Sequence, residues 1–171
     1  MEDKNKEEGK MKLLVTFMSL ENILNADLNV CDELMMRMSF TSIIHHLEEV
    51  LEYDRDLGEA DMYIAECYMN IMEYDKGVNH AKEALKKFDA GCSIVTRKSI
   101  KACKKYTYKI LALINIYKAQ DYLKIGDSNK SDEAHKEALT YFEKAIENDP
   151  DDNNIKMLYE HFKKTIQLPR Y

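Results

Sequence analysis

Apolar residues recur along most of this chain at the three- and four-residue intervals of an α-helix. One such segment carries Phe40, Ile43, Leu47, Val50 and Leu51, and a second carries Tyr74, Gly77, Ala81, Ala84 and Leu85. The two lie 34 residues apart, and each apolar or small position of the first has a counterpart in the second. Upstream, Val30, Cys31 and Leu34 correspond in the same way to Ile64, Ala65 and Tyr68. Each unit reads as a helix, a break and a second helix. Self-similarity at this period predicts an all-α chain of stacked helix pairs, since one pair cannot bury its apolar face alone.

The residues Ala65, Tyr68, Tyr74, Gly77 and Ala84 also carry a resemblance. Their order and spacing resemble the tetratricopeptide-repeat (TPR) consensus, with an aromatic at the turn and small residues at two points of the second helix. The family's usual proline is absent from the end of this unit. A further unit, Tyr122-Leu-Lys-Ile-Gly126 followed by Ala138, Phe142, Ala145 and Pro150, is similar to the same pattern and includes that proline. Matching it places about seven additional residues, Asp127 to His135, around the turn. The resemblance implies a right-handed solenoid of antiparallel helix pairs with terminal capping helices. Repeats are expected at about 24–57, 58–91 and 112–152, with a helical addition at 92–111.

Other signals complete the expected outline. Ser131, Asp132 and Glu133 read as a capped helix start with an acidic first turn, which leaves 126–130 as a polar loop. Asp149-Pro150 marks a helix end, because the residue before proline avoids helical angles. Residues 154–166 form an amphipathic helix suited to covering an open end of the stack, and Met11 to Asn22 are a candidate for the other end. Residues 1–10 are charged and aperiodic, and read as a mobile tail ahead of a single domain over 11–171.

Composition narrows the class without identifying a chemistry. Only 5 Gly and 2 Pro occur in 171 residues, too few for many tight turns. The net charge of −6 gives no general reason to bind nucleic acid. The cysteines Cys31, Cys67, Cys92 and Cys103 form no CxxC pair and read as reduced thiols of a cytoplasmic or nuclear protein. No apolar run reaches the ~18 residues of a membrane helix. Phosphate-loop, nucleophile-elbow and HExxH patterns are absent, so neither catalysis nor a cofactor is expected.

The TPR resemblance implies that the first helix of each pair lines a concave face on which partners bind. The positions that map there are Asp32 and Met35 in the first repeat, with Leu28, Asn29 and Met36 beside them. The second repeat gives Met62, Tyr63, Glu66, Met69 and Asn70. The third gives Tyr117, Gln120 and Lys124, with Ile116 and Leu123 adjacent, and Met157 and His161 extend the set. Methionine suits adaptable apolar surfaces, so the expected guest is a peptide or amphipathic helix of another protein. The same methionines would serve equally as core. Asp32 and Glu66 would repel an acidic tail of the kind that some TPR co-chaperones clamp.

Arg97, Lys101, Lys105 and Lys109 recur every four residues and share one helical face. They read as a contact for an acidic protein, RNA or membrane headgroups, or as a solvated face balancing acidic neighbours. A nucleic-acid role would call for a wider basic field with stacking aromatics. His45 and His46 with Glu49 are too few for a metal site, and His80 and His135 show no partner in the sequence. The functions in contention are a protein-interaction adaptor or assembly factor, a client-binding chaperone, and a binder of nucleic acid or acidic partners through residues 97–109. The first of these is expected to be a monomer or weak homo-oligomer.

Overall fold

The computed structural model describes residues 2–24, 33–91 and 100–167. Among these residues the regular structure is all helix, with no strand: α1 (Glu2–Leu24), α2 (Glu33–Tyr53), α3 (Gly58–Asn70), α4 (Tyr74–Asp89), α5 (Ile100–Lys124), α6 (Ser128–Asn148) and α7 (Asn153–Gln167). The chain divides into two compact units, Met1–Arg97 and Lys98–Tyr171. The expected positions Leu28, Asn29, Val30, Cys31, Asp32, Cys92 and Arg97 lie outside the described residues.

In the first unit, α1 packs on α2, α2 on α3, and α3 on α4. The inward face of α2 is Phe40, Ile43, Ile44, Leu47 and Val50, spaced at helical intervals. Among the described residues the break expected within the first repeat does not occur, and one continuous helix runs from Glu33 to Tyr53. The helix preceding it is α1, which begins at Glu2 and so includes most of the segment read as a tail. Gly9 explains the seating of its N-terminal part. A Cβ there would stand 3.0 Å from Tyr53 Cβ, so a larger residue would push the two helices apart by a few tenths of an ångström.

The α3–α4 hairpin closes through three residues. Met72 adopts φ 64°, and the Glu73 and Met72 N–H groups donate to the carbonyls of Tyr68 (2.9 Å) and Met69 (3.2 Å). This is the paired hydrogen-bond pattern that ends many helices, with methionine where glycine is usual. Gly58 opens α3 against the ring of Phe88 on α4, and Ala84, Ala81 and Gly77 are buried along the same hairpin.

The second unit repeats this hairpin at a spacing of 54 residues. Gly126, at φ 79°, takes the place of Met72, and Asp127 N–H donates to Tyr122 O (2.9 Å) while Gly126 N–H donates to Leu123 O (3.1 Å). Ala112, Ala119, Ser131, Ala138 and Phe142 then stand where Gly58, Ala65, Gly77, Ala84 and Phe88 stand in the first unit, and all ten are buried. The additional residues expected around the turn are instead part of α6. That helix starts at Ser128, capped by the Asp127 side chain accepting from Lys130 N–H (3.1 Å). Ser131 is fully buried inside it rather than capping its start. Phe142 and Ala145 pack with Ile155 and Phe162 of α7. Asp152 caps α7, accepting from the N–H groups of Asn154 (2.9 Å) and Ile155 (3.2 Å).

Candidate partner-binding surface

Four of the residues expected to line a groove are enclosed in the first unit. On α3, Met62, Tyr63, Glu66 and Met69 are buried, with relative exposures of 1%, 2%, 7% and 8%. The correction has a physical cause: α3 is flanked by α2 and α4, and Phe17 of α1 lies against Tyr63 with ring centroids 4.9 Å apart. Asn70 is exposed, and its side chain donates to Glu66 O (2.8 Å). Met35 is exposed, but on the first turn of α2 rather than on the first helix of a pair. Tyr117, Gln120 and Lys124 share an exposed face of α5, where Lys124 Nζ pairs with Asp121 at 2.7 Å. Met157 and His161 are exposed on α7.

The basic row is interrupted in the middle. Lys101 is exposed, whereas Lys105 Nζ sits 2.7 Å from both Asp149 and Asp152. These hydrogen bonds raise the Lys105 pKa, Asp149 contributing most, and the Lys105 ammonium in turn lowers that of Asp152. Lys109 Nζ lies 5.7 Å from the Tyr106 ring centroid. Lys105 therefore ties α5 to the α6–α7 connection, and its charge is already compensated within the unit.

One polar cluster escaped sequence reasoning. The Asp61 carboxylate, nearly inaccessible on α3, meets His80 Nδ1 at 2.8 Å and also Lys87 Nζ, both on α4. The His80 ring stacks on Tyr68 at 5.5 Å, and Lys76 Nζ lies 5.4 Å from the other ring's centroid. A buried carboxylate needs such partners, and these come from 19 and 26 residues away in sequence. His135 similarly has neighbours, Ser131 Oγ at 3.5 Å and the Phe162 ring at 5.6 Å. His45 and His46 stay on the α2 surface beside Glu48 and Glu49. Among the described residues no three His, Cys, Asp or Glu side chains gather as metal ligands do, and no helix is long and apolar enough to cross a membrane.

A surface that presents several apolar side chains lies on α1. Leu13, Thr16 and Leu20 point inward, at 1%, 7% and 1% exposure. Met11, Leu14, Val15 and Met18 occupy a second face at i, i+3, i+4 and i+7, and are 65%, 45%, 58% and 59% exposed. Such spacing puts all four on one stripe. A groove of about 440 Å³ runs beside it between α1 and α2, lined by Met11, Lys12, Val15, Thr16 and Ser19 with Ile43, His46 and Glu49. Lys12 crosses its end, with Nζ 3.2 Å from the Tyr53 hydroxyl and 3.9 Å from Glu49. On α2, Leu34, Met35 and Met38 are also exposed. The signal for this surface is in the sequence: α1 has more apolar positions than one buried face can use.

No family model matches this chain, and a search of curated proteins returns no significant match.

Proposed function

We propose that this chain is a TPR-like protein-interaction module without catalytic function, and that its docking surface is the outward stripe of α1 with the adjoining α1–α2 groove. The observation that carries this reading is the run of Met11, Leu14, Val15 and Met18 on one exposed face next to an open, mainly apolar groove. An amphipathic guest helix presents anchors at the same i, i+3, i+4 and i+7 spacing. Covering four large apolar side chains is worth on the order of 5 kcal/mol before the costs of association. Two methionines on the stripe let it adapt to the guest's side chains.

The 54-residue recurrence of the hairpin supports the TPR-like part of the proposal. Small residues recur where the helices approach, and an aromatic recurs where Phe88 and Phe142 fill the space. The test is Val15→Asp with Met18→Asp, two exposed positions whose replacement leaves the inward residues Leu13 and Leu20 untouched. The variant should keep wild-type helicity and melting temperature while losing its partner in co-purification from the native host. Retained partner binding by the folded variant would place the docking surface elsewhere.

A further inference from the structure

We infer that the guest of the α1 surface is a cationic amphipathic helix, whose apolar anchors are bracketed at both ends by lysine or arginine. The inference rests on the docking reading above and adds the chemistry of the occupant. The apolar stripe does not fade into neutral surface at either end. Glu7 and Glu8, four and three residues before Met11 and so about one helical turn away, are exposed at its N-terminal end, and Glu21 is exposed about one turn beyond Met18 at the other. On the α2 wall of the groove, Glu49 is exposed as well.

Two cations beside the stripe are engaged within the protein. Lys10 Nζ pairs with Glu7 at 3.3 Å, and Lys12 is held between Tyr53 and Glu49. With Glu7 and Glu49 compensated by these pairs, Glu8 at one end and Glu21 at the other are the carboxylates that bracket the apolar centre facing an incoming helix. Complementary rim charges steer a partner and suppress wrong ones.

Charge argues against the other occupants. A second copy packing antiparallel through the same stripe would match Met11 with Met18 and so set Glu8 opposite Glu21, a like-charge contact that disfavours the pair. An anionic bilayer would meet the same carboxylates at both ends of the stripe.

The experiment uses the full chain and three synthetic peptides able to form helices. All carry Leu or Met at i, i+3, i+4 and i+7. The first is flanked at both ends by paired Lys and Arg, the second by paired Glu, and the third has the first peptide's composition in scrambled order. Binding is read by fluorescence anisotropy at low and high salt, on wild type, on Val15→Asp, and on Glu8→Lys/Glu21→Lys.

The expected result is that the basic-flanked peptide binds about tenfold tighter than the acidic-flanked one at low salt, with the gap narrowing as salt screens the rim. Glu8→Lys/Glu21→Lys should invert that preference, and Val15→Asp should abolish binding of either peptide. Equal affinity for both flanked peptides, lost in Val15→Asp, would overturn the cationic guest while leaving the docking surface in place. Binding that is insensitive to Val15→Asp, or no binding of any peptide, would overturn both. Concentration-dependent dimerisation abolished by Val15→Asp would instead assign the stripe to a second copy. Sedimentation with phosphatidylserine vesicles that is lost in the same variant would assign it to a lipid surface. Either result would also overturn the cationic guest.

Discussion

Gly58→Ala is the sharpest test of how the α3–α4 hairpin is held together. A Cβ at position 58 would lie 2.6 Å from Phe88 Cε1, 2.9 Å from Cδ1 and 3.1 Å from Cζ. Contacts that short cannot persist, so either the ring or the start of α3 must move. The ring has little room, since Phe88 is 2% exposed. Overpacking of this kind costs roughly 1–3 kcal/mol. Against it stands the helix preference of alanine over glycine, up to ~1 kcal/mol and smaller in a first turn. The net expectation is a loss of about 1–2 kcal/mol, read by urea denaturation followed by circular dichroism. For a chain of this size the same loss lowers Tm by roughly 2–8 °C. Phe88→Leu should itself be destabilising through the cavity it leaves. Combined with Gly58→Ala it should cost less than the sum of the two single changes, because the added methyl then enters vacated space. Gly58→Ala with unchanged or raised stability would refute the close-packing argument.

Four other outcomes follow from the structure. Met72→Gly should raise stability by roughly 0.5–1 kcal/mol, because φ 64° is costly for a residue with a Cβ and the side chain is 64% exposed; Gly126→Ala should lose about 1 kcal/mol for the converse reason, both read by denaturant titration. Ala84→Leu and Ala138→Leu should each cost roughly 1–3 kcal/mol, since both sites are fully buried. Cys67 should resist alkylation in the native protein and react on unfolding, as burial raises its thiol pKa well above the ordinary value; peptide mass mapping reads this directly. Asp152 has its pKa lowered chiefly by Lys105, so its contribution to stability is present above the unfolded carboxylate pKa near 3.8 and is lost as pH falls through the lower folded value. Lys105→Gln should therefore flatten the acid limb of the stability–pH profile, and an unchanged limb would count against the ion pair.

The all-helical class, the α3–α4 pair and the final helix were legible in the spacing of apolar residues. The 34-residue period found the inward face of α2 and the core of α4, because both are second helices packed in the same way. It failed upstream, where α2 runs unbroken from Glu33 to Tyr53 and packs on α1. The second hairpin was placed in the wrong register through Gly126. Glycine serves equally as a small contact residue and as a carrier of positive φ. The consensus favoured the first use, and the structure shows the second. Its true counterpart, Met72, gives no such hint, since methionine rarely occupies that conformation.

The groove on α3 was misread for a related reason. Glu59, Asp61 and Glu66 suggest a solvated face, yet all three are buried. The partners that stabilise Asp61 reside on the next helix, beyond the reach of any local pattern. The exposed stripe of α1 was visible as excess apolar positions, but exposure is decided by what packs on a helix and not by its sequence alone.

The most direct test of the docking account is the methionine methyl spectrum of the full chain, labelled with ¹³C at the ε-methyl groups, during titration with the basic-flanked peptide. Resonances of Met11 and Met18 are expected to shift, while those of Met62 and Met69, enclosed within the fold, stay in place. Shifts confined to Met62 and Met69, with Met11 and Met18 unmoved, would contradict it.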